Sequence, residues 1–191
     1  MSAVMIASDL HGSAYYTRKV IEAFEQSGAE RLILLGDLLY HGPRNDLPKE
    51  YAPKEVFALL NGIKDRVTAV RGNCDAEVDQ MVLEFPVMAD FAWICVDGIR
   101  LFATHGHVYN DTEPGKFPLL SDGDALLFGH IHLPVAEKKE FPDGSGKSYF
   151  LLNPGSVSLP KDGNPASYAL FSDRTYRIFD FEGNVLKQIT M

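Results

Sequence analysis

The chain opens on Val4-Met5-Ile6-Ala7-Ser8-Asp9-Leu10-His11-Gly12. A short apolar run passes into an acid, a histidine and a glycine. Apolar at consecutive positions, the run reads as a strand buried on both faces, as in parallel sheets. The pattern returns four times. Arg31 to Leu35 precedes Gly36-Asp37, and Val67 to Val70 precedes Gly72-Asn73-Cys74-Asp75. Ile99 to Thr104 precedes His105-Gly106-His107, and Ala125 to Phe128 precedes Gly129-His130-Ile131-His132. In α/β sheets, sites gather just beyond the carboxyl ends of strands. Five ends carrying Asp, His and Asn are therefore expected to share one site. The sixth histidine, in His41-Gly42, also adjoins a glycine.

Between these runs lie helices. Ser13 can cap a helix from Ala14 to about Ser27, with Val20, Ile21 and Phe24 on one face and Gly28 past its end. Lys54 to about Asn61 reads as a second helix, stopped by Gly62. Pro43 to Pro53 is a loop. Pro114, Gly115 and Pro118 allow only a short, broken helix in 109–124. Beyond Pro134 come short strands at Val135-Ala136, Tyr149 to Leu151, Tyr168 to Phe171, Tyr176 to Phe179 and Val185 to Ile189. They are separated by Asp143-Gly144, Asp162 to Pro165 and Glu182 to Asn184, which are turn signals. The first half thus reads as α/β and the last third as an antiparallel sheet.

The 191 residues suit a single domain, 1–191, large enough for its own core. Hydrophobic residues at 46% and charged residues at 23% exclude a disordered chain. No apolar run approaches the roughly 18 residues of a membrane span, and the N-terminal stretch lacks a basic region, so no signal peptide is expected. Cys74 and Cys95 cannot build a disulfide framework. A cytoplasmic protein is expected. The net charge of −8 and the lack of a basic stripe argue against polymeric nucleic acid as partner. An acidic chain can still handle phosphate esters where metal ions supply local positive charge.

The motifs offer such ions a home. Asp-x-His gives an oxygen and a nitrogen ligand, and His-x-His gives two nitrogens. One aspartate can bridge two cations, as two-metal sites require, and Asn73 offers a neutral oxygen. This set suits Mn²⁺, Fe²⁺, Co²⁺ or Zn²⁺ better than Mg²⁺ or Ca²⁺. Singly, each motif reads more readily as a turn or a core histidine than as a metal site. Five in order, each after a strand, do not.

The set Asp9-x-His11, Gly36-Asp37, Gly72-Asn73, His105-Gly106-His107 and Gly129-His130-x-His132 resembles the calcineurin-like metallophosphoesterase signature. His41 to Asn45, Val70 to Asp75, His132 to Glu137, Asn153 to Ser158 and Gly163 to Tyr168 further resemble its bacterial YfcE-type branch. The resemblance implies a four-layer α/β/β/α sandwich of two mixed sheets. It implies two divalent ions, manganese foremost, with Ni²⁺, Co²⁺, Fe²⁺ or Zn²⁺ as substitutes. Asp9, His11 and His132 would hold one ion, Asn73, His105 and His130 the other, and Asp37 would bridge. A hydroxide between the ions would attack the phosphorus of a small phosphodiester, with Asp37, Asn73 and His105 as the catalytic centre. Activated monoesters and pyrophosphates are further candidate substrates, and a homo-oligomer stays open. The alternative is a metal-binding scaffold of the same fold, as in a retromer subunit of the family.

Other positions keep two readings. Asp75 would orient Asn73 from behind. His107 faces substrate or bonds to a neighbour, and His41 serves a loop or the substrate. Asn153 and Ser156 shape the far side of the site or a tight turn. Many relatives carry histidine where Cys74 stands, to protonate the leaving oxygen. Cys74 is expected as a half-buried packing residue rather than a catalytic thiol, and Cys95 as a core residue. Two divalent ions, two aspartates and a hydroxide leave the inner shell at roughly +1. A diester monoanion neutralises that charge and a monoester dianion overshoots it.

Overall fold

The structure, a computed structural model, describes residues 3–113 and 115–191. Pro114, one of the expected helix breakers, lies outside the described residues.

Six strands form the first sheet, in the order β11-β10-β9-β1-β2-β3. Its parallel half is β1 (Val4–Ala7), β2 (Arg31–Leu34) and β3 (Val67–Ala69), and its antiparallel half is β9 (Ser167–Ser172), β10 (Thr175–Asp180) and β11 (Val185–Thr190). The second sheet runs β4-β5-β6-β8-β7. Here β5 (Ile99–Thr104), β6 (Ala125–Leu127) and β8 (Ser148–Pro154) are parallel, with β4 (Phe91–Val96) and β7 (Pro134–Glu140) as antiparallel edges.

The continuous apolar runs are explained by burial on two sides. Met5, Leu32 and Leu34 pack outward under helices α1 (Ala14–Ser27) and α2 (Pro53–Asn61), against Val20, Phe24, Val56 and Leu60. Val4, Ile6 and Ile33 point the other way and meet Leu101, Ala103, Leu127 and Leu152 of the second sheet. This inter-sheet core fixes the spacing of the two parallel triplets, and both deliver their carboxyl ends to one edge. α1 has the bounds its caps dictate: Ser13 Oγ accepts from the Tyr16 amide, and Gly28 closes the helix at φ 69°.

Two expectations need correction. The last third does not form one antiparallel sheet. β7 and β8 complete the second sheet while β9 to β11 cross to the first, and β8 runs parallel to β6. Strand patterns show pleat, not partners. β4 carries no expectation, and Cys95 on it is exposed rather than in the core. Phe91-Ala92-Trp93-Ile94-Cys95-Val96 is apolar at both parities, and only Val96 is fully buried. The expected sandwich of two mixed sheets is present. Phe102, Leu126 and Tyr149 on the outer face of the second sheet are covered by Tyr109, Phe117 and Leu120 of the 105–124 segment. A four-residue helix at Glu77–Gln80 was also outside the sequence reading.

Candidate metal centre

Each of the expected ligands follows a strand of the two parallel triplets, and the structure brings all seven to that shared edge. The loops are held by a dense backbone weave. The amides of Asp9, His11 and Gly12 donate to the carbonyls of Gly36, Asp37 and Leu38, and Gly129 donates to His105. Glycines permit the closeness. A Cβ on Gly72 would lie 2.1 Å from Asp37 Oδ1, and one on Gly129 would lie 2.0 Å from Ser8 Oγ. Asp9, His11, Asp37, His130 and His132 all have left-handed backbone, with φ between 47° and 67°. That conformation costs about 1–2 kcal/mol per residue and concentrates at functional sites where the surroundings enforce it.

The side chains form two touching clusters. In the first, Asp9 Oδ1 is 3.2 Å from His132 Nε2 and 3.7 Å from His11 Nε2, and the two Nε2 atoms are 3.3 Å apart. In the second, His105 Nε2 is 3.1 Å from Asn73 Oδ1 and 3.2 Å from His130 Nδ1. Asp37 Oδ2 lies between them, 3.7 Å from His11 Nε2 and 3.4 Å from His105 Nε2. Asp9, His11, Asp37, His105 and His132 are buried, while Asn73 opens to solvent.

The donor chemistry fits divalent metal. His11, His105 and His132 turn their Nδ1 atoms to the carbonyls of Tyr40, Leu35 and Leu159 at 2.9, 2.7 and 2.6 Å. Each Nδ1 therefore carries its hydrogen, and Nε2 lone pairs point inward, the second-shell arrangement of metal-binding histidines. Asp9 Oδ1 is buried and accepts no hydrogen bond among the described residues. Lone pairs of oxygen and nitrogen converge on common points that require positive charge. Without metal, protons supply part of it. Burial alone would lower His105, but Asp37 and Asp9 raise it to about 9. Burial alone would raise Asp9, but the surrounding histidines hold it below the usual carboxylate range.

The neighbouring residues resolve differently from expectation. Asp75 does not grip the Asn73 side chain. Its carboxylate accepts from the amides of Gly72, Asp37 and Leu38 at 2.7, 2.8 and 2.8 Å, tying the third strand-end loop to the second. Burial and the charge of Asp37 push it up to about 6. Asn153 donates to the Gly129 carbonyl and accepts from Gly155, and Ser156 and Ser158 donate to the Asp9 carbonyl. They brace the ligand loops. His41 stands edge-on between Tyr40 and Tyr51. His107 packs beside His105 and lines a separate cavity of about 490 Å³ with Phe128 and Leu151; burial and the positive His105 beside it lower it to about 4. Cys74 is half-buried, and burial and Asp37 push its thiol well up, so it stays protonated.

The clusters open into a cleft of about 410 Å³. Arg44, Asn45 and Lys161 line it beside the ligands and Cys74. The sequence reading assigned these three no role. Surface cations carry no periodic signal, and only the Gly42-Pro43-Arg44-Asn45 and Lys161-Asp162-Gly163-Asn164 turns marked their places.

The chain matches the family model of the calcineurin-like phosphoesterase superfamily domain over residues 2–175. It is 50% identical over 173 residues to phosphodiesterase YfcE of Escherichia coli K12, covering 91% of this chain and 89% of that protein. The solved structure of the E. coli phosphoesterase YfcE superposes with a TM-score of 0.91 at 46% identity, covering 98% of both chains. Vps29 of Chaetomium thermophilum shares the fold, with a TM-score of 0.59 at 17% identity over 99% of this chain and 97% of that one.

Proposed function

The chain belongs to the calcineurin-like phosphoesterase superfamily and is a metal-dependent phosphoesterase; from that premise we propose that it hydrolyses phosphodiester bonds at a centre of two divalent ions. Asp9, His11 and His132 would hold one ion, Asn73, His105 and His130 the other, and Asp37 would serve both. The observation that carries this reading is Asp37 Oδ2, which lies within 3.7 Å of a histidine from each cluster. Two ions there would supply Lewis acidity toward phosphoryl oxygens and a nucleophile from water at neutral pH.

The chain's own residues do the rest. Nδ1–H bonds to backbone carbonyls orient three imidazoles before any ion arrives, which keeps reorganisation small. Asp75 fixes Asp37 by two adjacent amides. Asn73, at the solvent edge, presents its oxygen where substrate enters. Cys74 holds its proton and supplies neither a nucleophile nor a positive charge, so substrates with stable leaving groups are favoured. Manganese fits the mixed nitrogen and oxygen donors. The free cysteines suit a reducing compartment, and we read the enzyme as cytoplasmic.

The test is turnover of bis-p-nitrophenyl phosphate after chelation and after addition of Mn²⁺. Activity should vanish and return. Retention of full turnover by the chelated, folded protein would contradict the reading.

A further inference from the structure

The cleft has two sides. Its floor is the metal centre, and its mouth carries Arg44 and Lys161. Arg44 comes from the loop after β2, in the first sheet, and Lys161 from the segment after β8, in the second. Apart from the metal-cluster residue Asp37, no carboxylate lines the cleft among the described residues. Neither cation pairs with a carboxylate among the described residues, whereas Arg66, Arg71 and Arg100 do. In a chain with 26 acidic residues against 18 basic ones, two unpaired cations facing one cleft form a local reversal of charge.

Both are anchored to the same cluster. The Tyr40 carbonyl accepts from His11 Nδ1, and the chain then turns tightly: the Asn45 side chain donates to the His41 carbonyl at 2.7 Å and its amide to Gly42 at 3.4 Å. This turn carries Arg44. On the other wall, His132 Nδ1 donates to the Leu159 carbonyl and the Lys161 amide donates back to the His132 carbonyl at 3.3 Å. Asn164 holds the Lys161 carbonyl from the far side. The two cations thus ride on segments bonded to His11 and His132, beside the ion that Asp9, His11 and His132 would hold.

Cys74 supplies an independent observation. It lines the same cleft, with Sγ 3.1 Å from where a Cβ on Gly42 would stand. A leaving alkoxide needs a proton, and this position offers no histidine to give one. A leaving phosphate monoester needs none, because its charge is stable in water near neutral pH. Its charge does need a counterion, and the mouth of the cleft provides two.

We propose that Arg44 and Lys161 form an anion subsite for the second phosphoryl group of a disubstituted diphosphate, whose first phosphoryl group is attacked at the metal centre. The inference rests on the phosphodiester-type hydrolysis assigned above and names its substrate class. Each phosphoryl of such a compound bears an ester on one side and the anhydride bridge on the other, and carries one negative charge, as a simple diester does. One water adds across the P–O–P bridge. A bond forms between phosphorus and the water oxygen, and the bond from that phosphorus to the bridging oxygen breaks. The bridging oxygen leaves with its electron pair on the second phosphoryl, facing Arg44 and Lys161. The water's protons pass to solvent or the product oxygens, and two phosphate monoesters result.

The test compares diadenosine diphosphate with bis-p-nitrophenyl phosphate on the Mn²⁺-loaded wild type, Arg44→Gln, Lys161→Gln and the double variant. A charge-assisted hydrogen bond lost from each side chain should lower kcat/KM for the diphosphate about tenfold per substitution. The aryl diester should change less than about threefold, since it presents no second anion. Calorimetric titration with methylenediphosphonate should show the same loss of affinity, and titration with methylphosphonate should not. Equal losses on both substrates would assign the cations to the scissile phosphoryl and overturn the proposal. Unchanged diphosphate kinetics and unchanged methylenediphosphonate affinity would also overturn it. If the loaded wild type turns over neither substrate, the hydrolase reading fails, and the methylenediphosphonate titration still decides the subsite.

Discussion

His11 Nε2 and His132 Nε2 lie 3.3 Å apart, and two neutral rings cannot bond to each other there while both Nδ1–H groups donate to carbonyl oxygens. With Asp9 Oδ1 beside them, three lone pairs meet at one point. The relationship is unfavourable for the bare chain and favourable once a cation occupies that point. Metal binding and folding are therefore coupled here.

One consequence concerns pH. His105 in the metal-free protein is raised to about 9 by Asp37 and Asp9 against the cost of burial. A raised histidine stabilises the fold fully below its unfolded value of about 6.5, and that stabilisation fades as pH rises through about 9. A cation on Nε2 must displace the same proton. Metal affinity should therefore climb between pH 6.5 and 9, and binding at pH 7.5 should release about one proton from His105. Calorimetric titrations of Mn²⁺ in buffers of different ionisation enthalpy count that proton; affinity flat across the range would contradict the assignment.

A second concerns the tie made by Asp75. Asp75→Asn replaces an acceptor oxygen by an amide donor facing backbone N–H groups in a buried place. The expected cost is about 2–4 kcal/mol, a fall in Tm of several degrees for a chain of this size. Thermal melts with and without Mn²⁺ should show it in both. An unchanged Tm would mean the three amide bonds contribute little.

A third separates sterics from chemistry. Gly72→Ala adds no functional group, yet its Cβ would stand 2.1 Å from Asp37 Oδ1 and 2.3 Å from the Asp37 amide nitrogen. Displacing that carboxylate by about an ångström should cost on the order of 10²-fold in kcat/KM, with the fold retained by circular dichroism. Wild-type turnover in Gly72→Ala would show that Asp37 tolerates displacement and is not the spanning ligand.

A fourth tests the thiol. Cys74→Ser should hold activity within about threefold, because the protonated thiol supplies no charge. Cys74→His should help alkyl diesters more than aryl ones, by less than the roughly 10²–10⁴-fold of a well-placed general acid. At Cys74 the sulfur accepts from the Asn73 side chain and the backbone amide donates to Asp37, and neither bond gives the side chain an acceptor that would orient such a ring. A large loss in Cys74→Ser, with metals retained, would make the sulfur functional.

Much of this was legible in the sequence, for reasons visible in particular residues. Ser13 and Gly28 mark the ends of α1 because capping is local chemistry. The strand ends were legible because Val4 to Ala7 and Arg31 to Leu34 are apolar on both faces and stop at glycine or polar residues. What lay beyond reach was not local. The pairing of β8 with β6, and of β9 with β1, depends on partners more than 20 residues away along the chain. Asp75 looked like a support for its neighbour Asn73, but its partners include Asp37 and Leu38 across the fold. Cys95 sits on a strand whose two faces are equally apolar, so parity could not place it. Arg44 and Lys161 gain meaning only when two sheets bring their loops to one cleft.

The central claim, that Asp37 joins two ions held by five strand ends, is tested most directly by counting metal. Protein stripped by chelation and reloaded with Mn²⁺ would be analysed by inductively coupled plasma mass spectrometry, together with Asp9→Asn and Asp37→Asn. The account predicts two ions per chain in the wild type, about one in Asp9→Asn, and fewer than one in Asp37→Asn, because that change weakens both sites. Two ions retained by Asp37→Asn, or a wild type that never binds more than one, would contradict it.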